Sequence, residues 1–444
     1  MIDLIEKGAI ALIVLGVIIV IHELGHFLVA KFFRIKVETF SVGFGPRLFG
    51  VRYGETDYRI SAFPLGGYVK MAGEMPGDNV TGSPDEFISK PKWQRFLVAS
   101  AGPAMNILLA VGLLTGLFMY GTEVPEYTEG DAVVGRIESG SPAEAAGLQA
   151  GDRIVLIAEK ENPNWEEIQN RVITNGGQTI ALAVERNGQR IETTLTPEKR
   201  GINEAGHGGM LPKTPIKTMI AGVLEESPAE AAGLKAGDQV IAVNGIDLRE
   251  SGRQLPEIIH ESTQATLPIT VLREGNPVEV AVTPVLTDGQ RRIGITIDPV
   301  VPMITVKENF SGALARSIDK NMEYGTLIFQ VLGKLVRREA SMKTVDGPIG
   351  IMRATGDFWE QGWTALLALV AMISLNLGLM NLLPIPILDG GVMLLLLVEG
   401  VMRQDLSLAF KERVIQVSFV FLLTLMVFVL YNDVVKLLPI PQGP

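Results

Sequence analysis

The stretch Ile21-His22-Glu23-Leu24-Gly25-His26 sets three ionisable side chains inside an otherwise apolar run from Ala9 to Ala30, 22 residues long. At about 1.5 Å per residue, a helix of that length covers roughly 33 Å, enough for the hydrocarbon core of a bilayer. A cleavable signal peptide has a shorter apolar core and a small-residue exit, so this run is expected to be a retained transmembrane helix. Helical spacing puts His22 and His26 on one face, one turn apart, as two imidazoles need to be to grip one metal ion. Glu23 beside them is the candidate general base. A polar packing cluster is the alternative. Ionisable groups within hydrocarbon are costly, however, unless they pair, bind an ion or line a wet cavity.

At 444 residues the chain is long enough for several units. It contains no cysteine, so disulfides and thiolate ligands are excluded and a metal must be held by His, Asp or Glu. That donor set favours a catalytic over a structural zinc, and Zn2+ is the expected cofactor. The net charge of −10 offers no basic field for nucleic acid.

From Lys31 to Arg95 the chain turns polar and basic, with Arg34, Lys36, Arg47, Arg52, Arg59, Lys70, Lys90 and Lys92 between. Such a loop is expected on the cytoplasmic side, which puts the N-terminus outside. Within it, Val37 to Val42 and Tyr58 to Phe63 alternate like strands, and Gly43-Phe44-Gly45-Pro46 and Pro64 to Tyr68 supply turns. These hairpins either are solvated or dip into the membrane along a protein cavity. Phe96 to Tyr120 is the second span, and Asn106 is its one strongly polar internal residue.

A duplication follows. Ser141 to Leu148 (SPAEAAGL) recurs letter for letter at Ser227 to Leu234, and each copy runs on into Ala-Gly-Asp, at Ala150 to Asp152 and Ala236 to Asp238. Val184 to Pro197 parallels Val271 to Pro284 at nearly the same offset. The chain therefore carries two homologous units of roughly 85 to 90 residues each. They resemble bacterial PDZ domains, which bind extended peptides by adding a strand in a groove. The resemblance makes Gly294, Ile295 and Ile297 the groove of the second unit. In the first, Glu159 to Asn162 stand where the second has an Asn244-Gly245 turn, and Gly208 to Leu211 form a loop expected to be irregular.

Thr364 to Glu399 is a third apolar block with a broken middle. Asn376 and Asn381 precede Pro384 and Pro386, and two prolines two apart cannot continue a helix. Broken backbone at membrane depth lines binding sites. Asp389, placed at the break, can supply the carboxylate that two histidines lack, cap the helix that restarts there, or both. Arg403, Lys411 and Arg413 then mark another inner loop, and Val414 to Tyr431 is a fourth span.

With HELGH in the first span and Asn381 to Gly390 (NLLPIPILDG) in the third, the chain resembles the site-2 proteases, a family of intramembrane zinc metalloproteases, and the bacterial branch with tandem PDZ domains in particular. Val392 departs from the histidine common there after LDGG. The resemblance implies that His22, His26 and Asp389 hold zinc and that Glu23 activates water. Asn376 and Asn381 would bind the substrate backbone, and the Gly43-Gly45 and Gly66-Gly67 segments would belong to β-elements that present an edge strand. The implied substrates are single-span membrane proteins, such as an anti-sigma factor already trimmed outside, and signal-peptide remnants. A catalytically inactive, membrane-tethered PDZ scaffold and a metal transporter are the rival readings.

The expected architecture is a multi-pass α-helical membrane protein with four transmembrane segments, membrane-associated β-hairpins and two tandem extracytoplasmic PDZ domains. Its expected parts are a first helix (1–33), a cytoplasmic-side loop (34–94), a second helix (95–120), PDZ domains (121–212 and 213–302), an extracytoplasmic connector (303–362), a third segment (363–400), and a fourth helix with the tail (401–444). The expected location is a bacterial inner membrane, with both termini and the PDZ pair in the periplasm. There the pair is expected to act as a size gate first and to capture peptide ligands second.

Overall fold

The structure, a computed structural model, describes residues 2–74, 81–200, 204–214, 217–248, 255–287, 290–337, 339 and 347–437. The chain divides into two compact units, one of residues 1–122 with 307–444 and one of residues 123–306. The end of the tail, residues 438–444, lies outside the described residues.

The first unit is helical apart from one sheet. Its helices are α1 (Ile2–Phe32), α2 (Lys92–Tyr120), α3 (Phe310–Val336), α4 (Pro348–Glu360), α5 (Trp363–Asn381), α6 (Asp389–Met402) and α7 (Leu408–Leu437). Four stretches in them are long and apolar enough to cross a membrane: Glu6–Phe32, Lys92–Tyr120, Trp363–Asn381 and Ala409–Lys436. This is a membrane protein. Small residues let the helices around α2 approach closely. A Cβ on Gly25 of α1 would lie 2.3 Å from the Ala101 carbonyl oxygen, and one on Gly378 of α5 would lie 3.0 Å from that of Pro103. The Ser374 hydroxyl donates to the Asn106 carbonyl at 2.9 Å, fixing α5 against α2. Helix α4 starts on an Asp433 carboxylate that accepts the N–H groups of Gly347 and Ile349 at 2.9 and 3.0 Å. A carboxylate there satisfies orphan donors and opposes the helix dipole.

The sheet consists of two long strands, β1 (Val37–Tyr53) and β2 (Thr56–Met71). The turns expected at Gly43 to Pro46 and Pro64 to Tyr68 are absent as chain reversals, and the reversal falls at Gly54-Glu55. Gly43, Gly45 and Gly66 have φ of +90°, +85° and +140°. These conformations kink a strand and shift its register without ending its ladder. The kinks fold the pair onto itself. Arg47 to Tyr53 face Ser61 to Thr56, while Val37 to Val42 face Gly67 to Met71 and, from Thr39 on, Asp57 to Ile60 as well. Among the described residues, 67–71 have the 37–42 segment as their one strand neighbour, so their other side is an edge.

The second unit carries the duplication. Its first half has a four-stranded sheet of Lys160–Glu161, Arg153–Ile157, Ile180–Arg186 and Gln189–Leu195, in that order. The second half repeats this order with Ile246–Asp247 and Leu267–Arg273 both on Gln239–Val243, and Asn276–Val282 beyond. It extends the sheet through Lys217–Val223 to Ile295–Val300. Each half has its own apolar core, one around Trp165, Ile168 and Leu182, the other around Leu255, Leu267 and Ile269. SPAEA forms the same capped turn in both. Ser141 and Ser227 accept the Glu144 and Glu230 N–H at 3.3 and 3.2 Å, with proline at the first helical position.

The loop expected to be irregular in the first half matches its counterpart. The Glu138 N–H donates to the Gly209 carbonyl at 2.8 Å as Leu224 donates to Gly294 at 2.9 Å, and both glycines have positive φ. A Cβ on either would strike Ser141 or Ser227. The strand that follows is short in the first half, Met210–Pro212, and long in the second. The hairpin made by Asn244-Gly245 in the second half is made by Ala158-Glu159 in the first.

The aspartate of each Ala-Gly-Asp is a structural hub. Arg186 donates from Nε and an Nη to the two oxygens of Asp152 at 2.6 and 2.8 Å, and Arg273 does so to Asp238 at 2.8 and 2.7 Å. The same guanidinium groups reach the Gly147 and Gly233 carbonyls at 2.8 Å. Burial disfavours the Asp152 charge, but the Arg186 bonds and the Gln149 N–H outweigh it and hold the carboxyl below its usual range. Asp238 is lowered chiefly by the Arg273 bonds, against burial. A carboxylate whose folded pKa is depressed stabilises the fold above its unfolded value, about 3.9 for Asp, and stops doing so as pH falls through the folded value. Asp238→Ala is therefore expected to lower the thermal midpoint of the second unit by about 5 °C at neutral pH. The deficit relative to the unsubstituted chain should shrink below about pH 4. Equal midpoints at pH 7 would show that the pair is ornamental.

Candidate active site

Two elements converge on one point. His22 and His26 come from the C-terminal half of α1, and Asp389 is the first residue of α6. Their Nε2, Nε2 and carboxylate oxygen atoms all lie within 4.8 Å of one another. The histidine nitrogens are 3.2 Å apart, and Asp389 Oδ2 is 3.1 Å from His22 Nε2 and 3.5 Å from His26 Nε2. Two ligands about 2.0–2.1 Å from a tetrahedral zinc sit roughly 3.3 Å from each other. All three separations match that edge, so the group fits zinc with a fourth position left for chemistry. The start of α6 has no side-chain cap, so Asp389 is free for the histidines. Gly390 and Gly391 make this possible, because a Cβ on either would collide with the carbonyl of Leu382 or Ile385 in the proline turn beneath.

The far sides of the imidazoles are also held. His26 Nδ1 donates to the Val98 carbonyl at 2.8 Å, which directs Nε2 at the cluster. His22 Nδ1 is 3.2 Å from the Asn106 side-chain amide, whose carbonyl oxygen lacks a partner among the described residues. Turned by half a revolution, that oxygen accepts Nδ1–H and holds His22 with Nε2 free to ligate. Both contacts come from α2, and so does the floor. A Cβ on Gly102 would lie 2.3 Å from His26 Nε2 and 2.7 Å from His22 Nε2. Val98, Gly102 and Asn106 are spaced four apart, so one stripe of α2 supports the histidines. The sequence reading singled out Asn106 as the polar residue in the second span and gave it no task. The Gly102-Pro103 pair was the other visible signal.

The cluster opens into a cavity of about 530 Å³ lined by Glu23, Tyr68, Glu74, Asn381 and Leu388, among others. Glu23 lies next to the three candidate ligands without joining them, and its Oε2 accepts the Val69 N–H at 3.1 Å. The edge of β2 therefore runs along this wall. Gly66 and Gly67 line the cavity, whereas Gly43 and Gly45 shape the sheet behind it. Asn381 lines it too. Asn376 is exposed and away from it. Gly294, Ile295 and Ile297 belong to the second unit, where Ile295 and Ile297 pack against that unit's core.

Comparison with known proteins agrees with this chemistry. The sequence pattern of Peptidase family M50 matches residues 10–425. The regulator of sigma E protease of Haemophilus influenzae is 31% identical over 453 residues, covering 96% of this chain and 98% of that protein. The regulator of sigma-E protease RseP of Escherichia coli K12 is 30% identical over 448 residues, with the same coverage of each. A Treponema pallidum protein, provisionally named a zinc metalloprotease, is 30% identical over 447 residues, again at 96% and 98%. A match over nearly the whole chain, joined to a donor set spaced for zinc, leaves no second assignment: the chain belongs to peptidase family M50 and is a zinc metalloprotease.

Proposed function

We propose that the enzyme cuts peptide bonds inside the membrane, with His22, His26 and Asp389 as zinc ligands and Glu23 as general base. The observation that carries this reading is where the ligand cluster stands. Two of its members belong to a helix apolar enough to span a bilayer, and the third begins the helix after the break in another such segment. Zinc, when bound, supplies Lewis-acid polarisation of the scissile carbonyl and acidifies water at the open position. The remaining work falls to the chain. Glu23, anchored by Val69 N–H, takes the proton from the attacking water and delivers it to the leaving amine. Val98 and Asn106 keep the imidazoles aimed, and Asn381 is placed to bind substrate backbone.

A transmembrane helix hides its peptide bonds in its own hydrogen bonds, so it must be unwound before it can be cut. The edge of residues 67–71, which meets no second strand among the described residues, offers replacement partners by strand addition. Single-span proteins are the proposed substrates, among them an anti-sigma factor pre-trimmed outside, a reading supported by the sigma-E names of the relatives. Signal-peptide remnants are a further class. The duplicated unit is read as two PDZ domains in the periplasm, and the membrane as a bacterial inner membrane.

The test uses detergent-purified protein and model single-span substrates. Proline costs about 3 kcal/mol in a helix interior and glycine about 1 kcal/mol. Placed in the substrate span away from the cut, proline is expected to raise kcat/KM more than glycine, and both more than alanine. Rates indifferent to helix-breaking residues would remove the unwinding step.

A further inference from the structure

We propose that Glu74 is a built-in cap on the substrate edge of β2, standing where a substrate carbonyl must bind. This rests on the strand-addition reading above and goes beyond it. Among the described residues, 67–71 have a strand neighbour on one side alone. In a strand, alternate residues turn their N–H groups to the same side. Val69 and Met71 both turn theirs away from the sheet, and each meets a carboxylate. Val69 N–H goes to Glu23 at 3.1 Å and Met71 N–H to Glu74 Oε2 at 3.2 Å. Glu23 has a catalytic reason to be there. Glu74 stands outside the donor group and ends no helix, yet its side chain projects, exposed, into the cavity that contains the ligand cluster.

An unpaired strand edge is a docking template, and an inward-pointing charge is one way proteins blunt it. An incoming strand satisfies the edge by placing its own carbonyl on the Met71 N–H, and Glu74 must first let go. The glutamate is long enough to reach back over Gly73 to Met71 and to swing out into the cavity when displaced. Its effect is to weaken binding of short extended peptides and to favour segments that bring enough other contacts to evict it. Glu74 is thus a positioning and selectivity residue, acting on substrate affinity with the proton chemistry of Glu23 left alone.

The test is binding of an apolar tetrapeptide hydroxamate to the zinc-loaded full-length protein. It compares wild type with Glu74→Ala, Glu74→Asp and Glu74→Gln, and adds analogues in which one backbone carbonyl at a time is reduced to methylene. Loss of one competing hydrogen bond should tighten binding to Glu74→Ala by about fivefold. Glu74→Asp keeps the carboxyl group but is too short to reach Met71, and it should behave the same way. Glu74→Gln retains an acceptor oxygen and should stay within about twofold of wild type. One reduced analogue should show no gain. In metal-free protein, amide exchange over residues 67–72 should be faster in Glu74→Ala and Glu74→Asp than in wild type. Equal binding and equal exchange in all four proteins would overturn the cap while leaving the protease reading intact. Failure of wild type to bind the hydroxamate at all would remove the metal-site reading and the cap with it.

Discussion

Glu23→Gln is expected to lower turnover by about 10³-fold while zinc content stays at the wild-type level. The reason is a division of labour within one helical turn. The three atoms spaced for the metal belong to His22, His26 and Asp389, and Glu23 is outside that set. Its carboxylate is instead tied to the Val69 N–H at the cavity wall. Glutamine has the same length and keeps an oxygen for that N–H, so the wall and the cluster should survive. What it cannot do is accept a proton at neutral pH. Asp389→Ala provides the contrast, because two histidines alone are a poor zinc site and metal should leave together with activity. Metal analysis by mass spectrometry, run beside a cleavage assay, separates the two patterns. Zinc lost from Glu23→Gln in proportion to its activity would make Glu23 a ligand or a prop. Near-normal cleavage by Glu23→Gln would favour a different base, with Glu74 in the same cavity the first to examine.

How much of this was legible in advance depended on whether the signal was local. His22 and His26 are read from spacing, since a helix brings positions four apart together whatever surrounds it. Asp389 was legible through its conflict with its setting: prolines and a carboxylate interrupt an apolar block, and such interruptions need a use. The span count followed from length and hydropathy. The sheet was legible less well. Gly43 to Pro46 and Pro64 to Tyr68 carry strong turn chemistry, but glycine's freedom serves a kinked strand as well as a reversal, and only strand pairing decides between them. The same holds for Gly209. The Gly208 to Leu211 stretch, expected to be irregular, holds at Gly209 the positive-φ position that lets the loop pass Ser141. Least legible were the groups of α2 that serve the histidines. The Val98 carbonyl has no side-chain signature, and Gly102 lacks a side chain altogether. Their roles exist only once α1 and α2 are in contact.

Gly102→Ala is expected to weaken zinc binding by about 100-fold or more and to lose activity in step. Local physics argues the other way. Alanine is favoured over glycine by about 1 kcal/mol in a helix interior, so α2 itself should become more stable. The added methyl, however, would stand 2.3 and 2.7 Å from the two imidazole nitrogens, well inside contact distance and on the side where the metal binds. The imidazoles can yield only by turning out of the positions that suit a metal. His26 is tied to Val98 and His22 abuts Asn106, while Gly25 between them is pressed against the Ala101 carbonyl. Gly112 and Gly116 of the same helix supply the controls, because nothing stands within 4 Å of a Cβ built on either. Gly112→Ala and Gly116→Ala should keep zinc and raise the thermal midpoint. Gly102→Ala should keep or raise the midpoint of the metal-free protein and lose the further stabilisation that added zinc gives the wild type. That combination, a sounder helix with a ruined site, distinguishes a cradle for the metal from a mere packing contact, which would cost stability with or without zinc. If Gly102→Ala bound zinc as tightly as the two controls, the floor of the site would have to be something other than the bare backbone of α2.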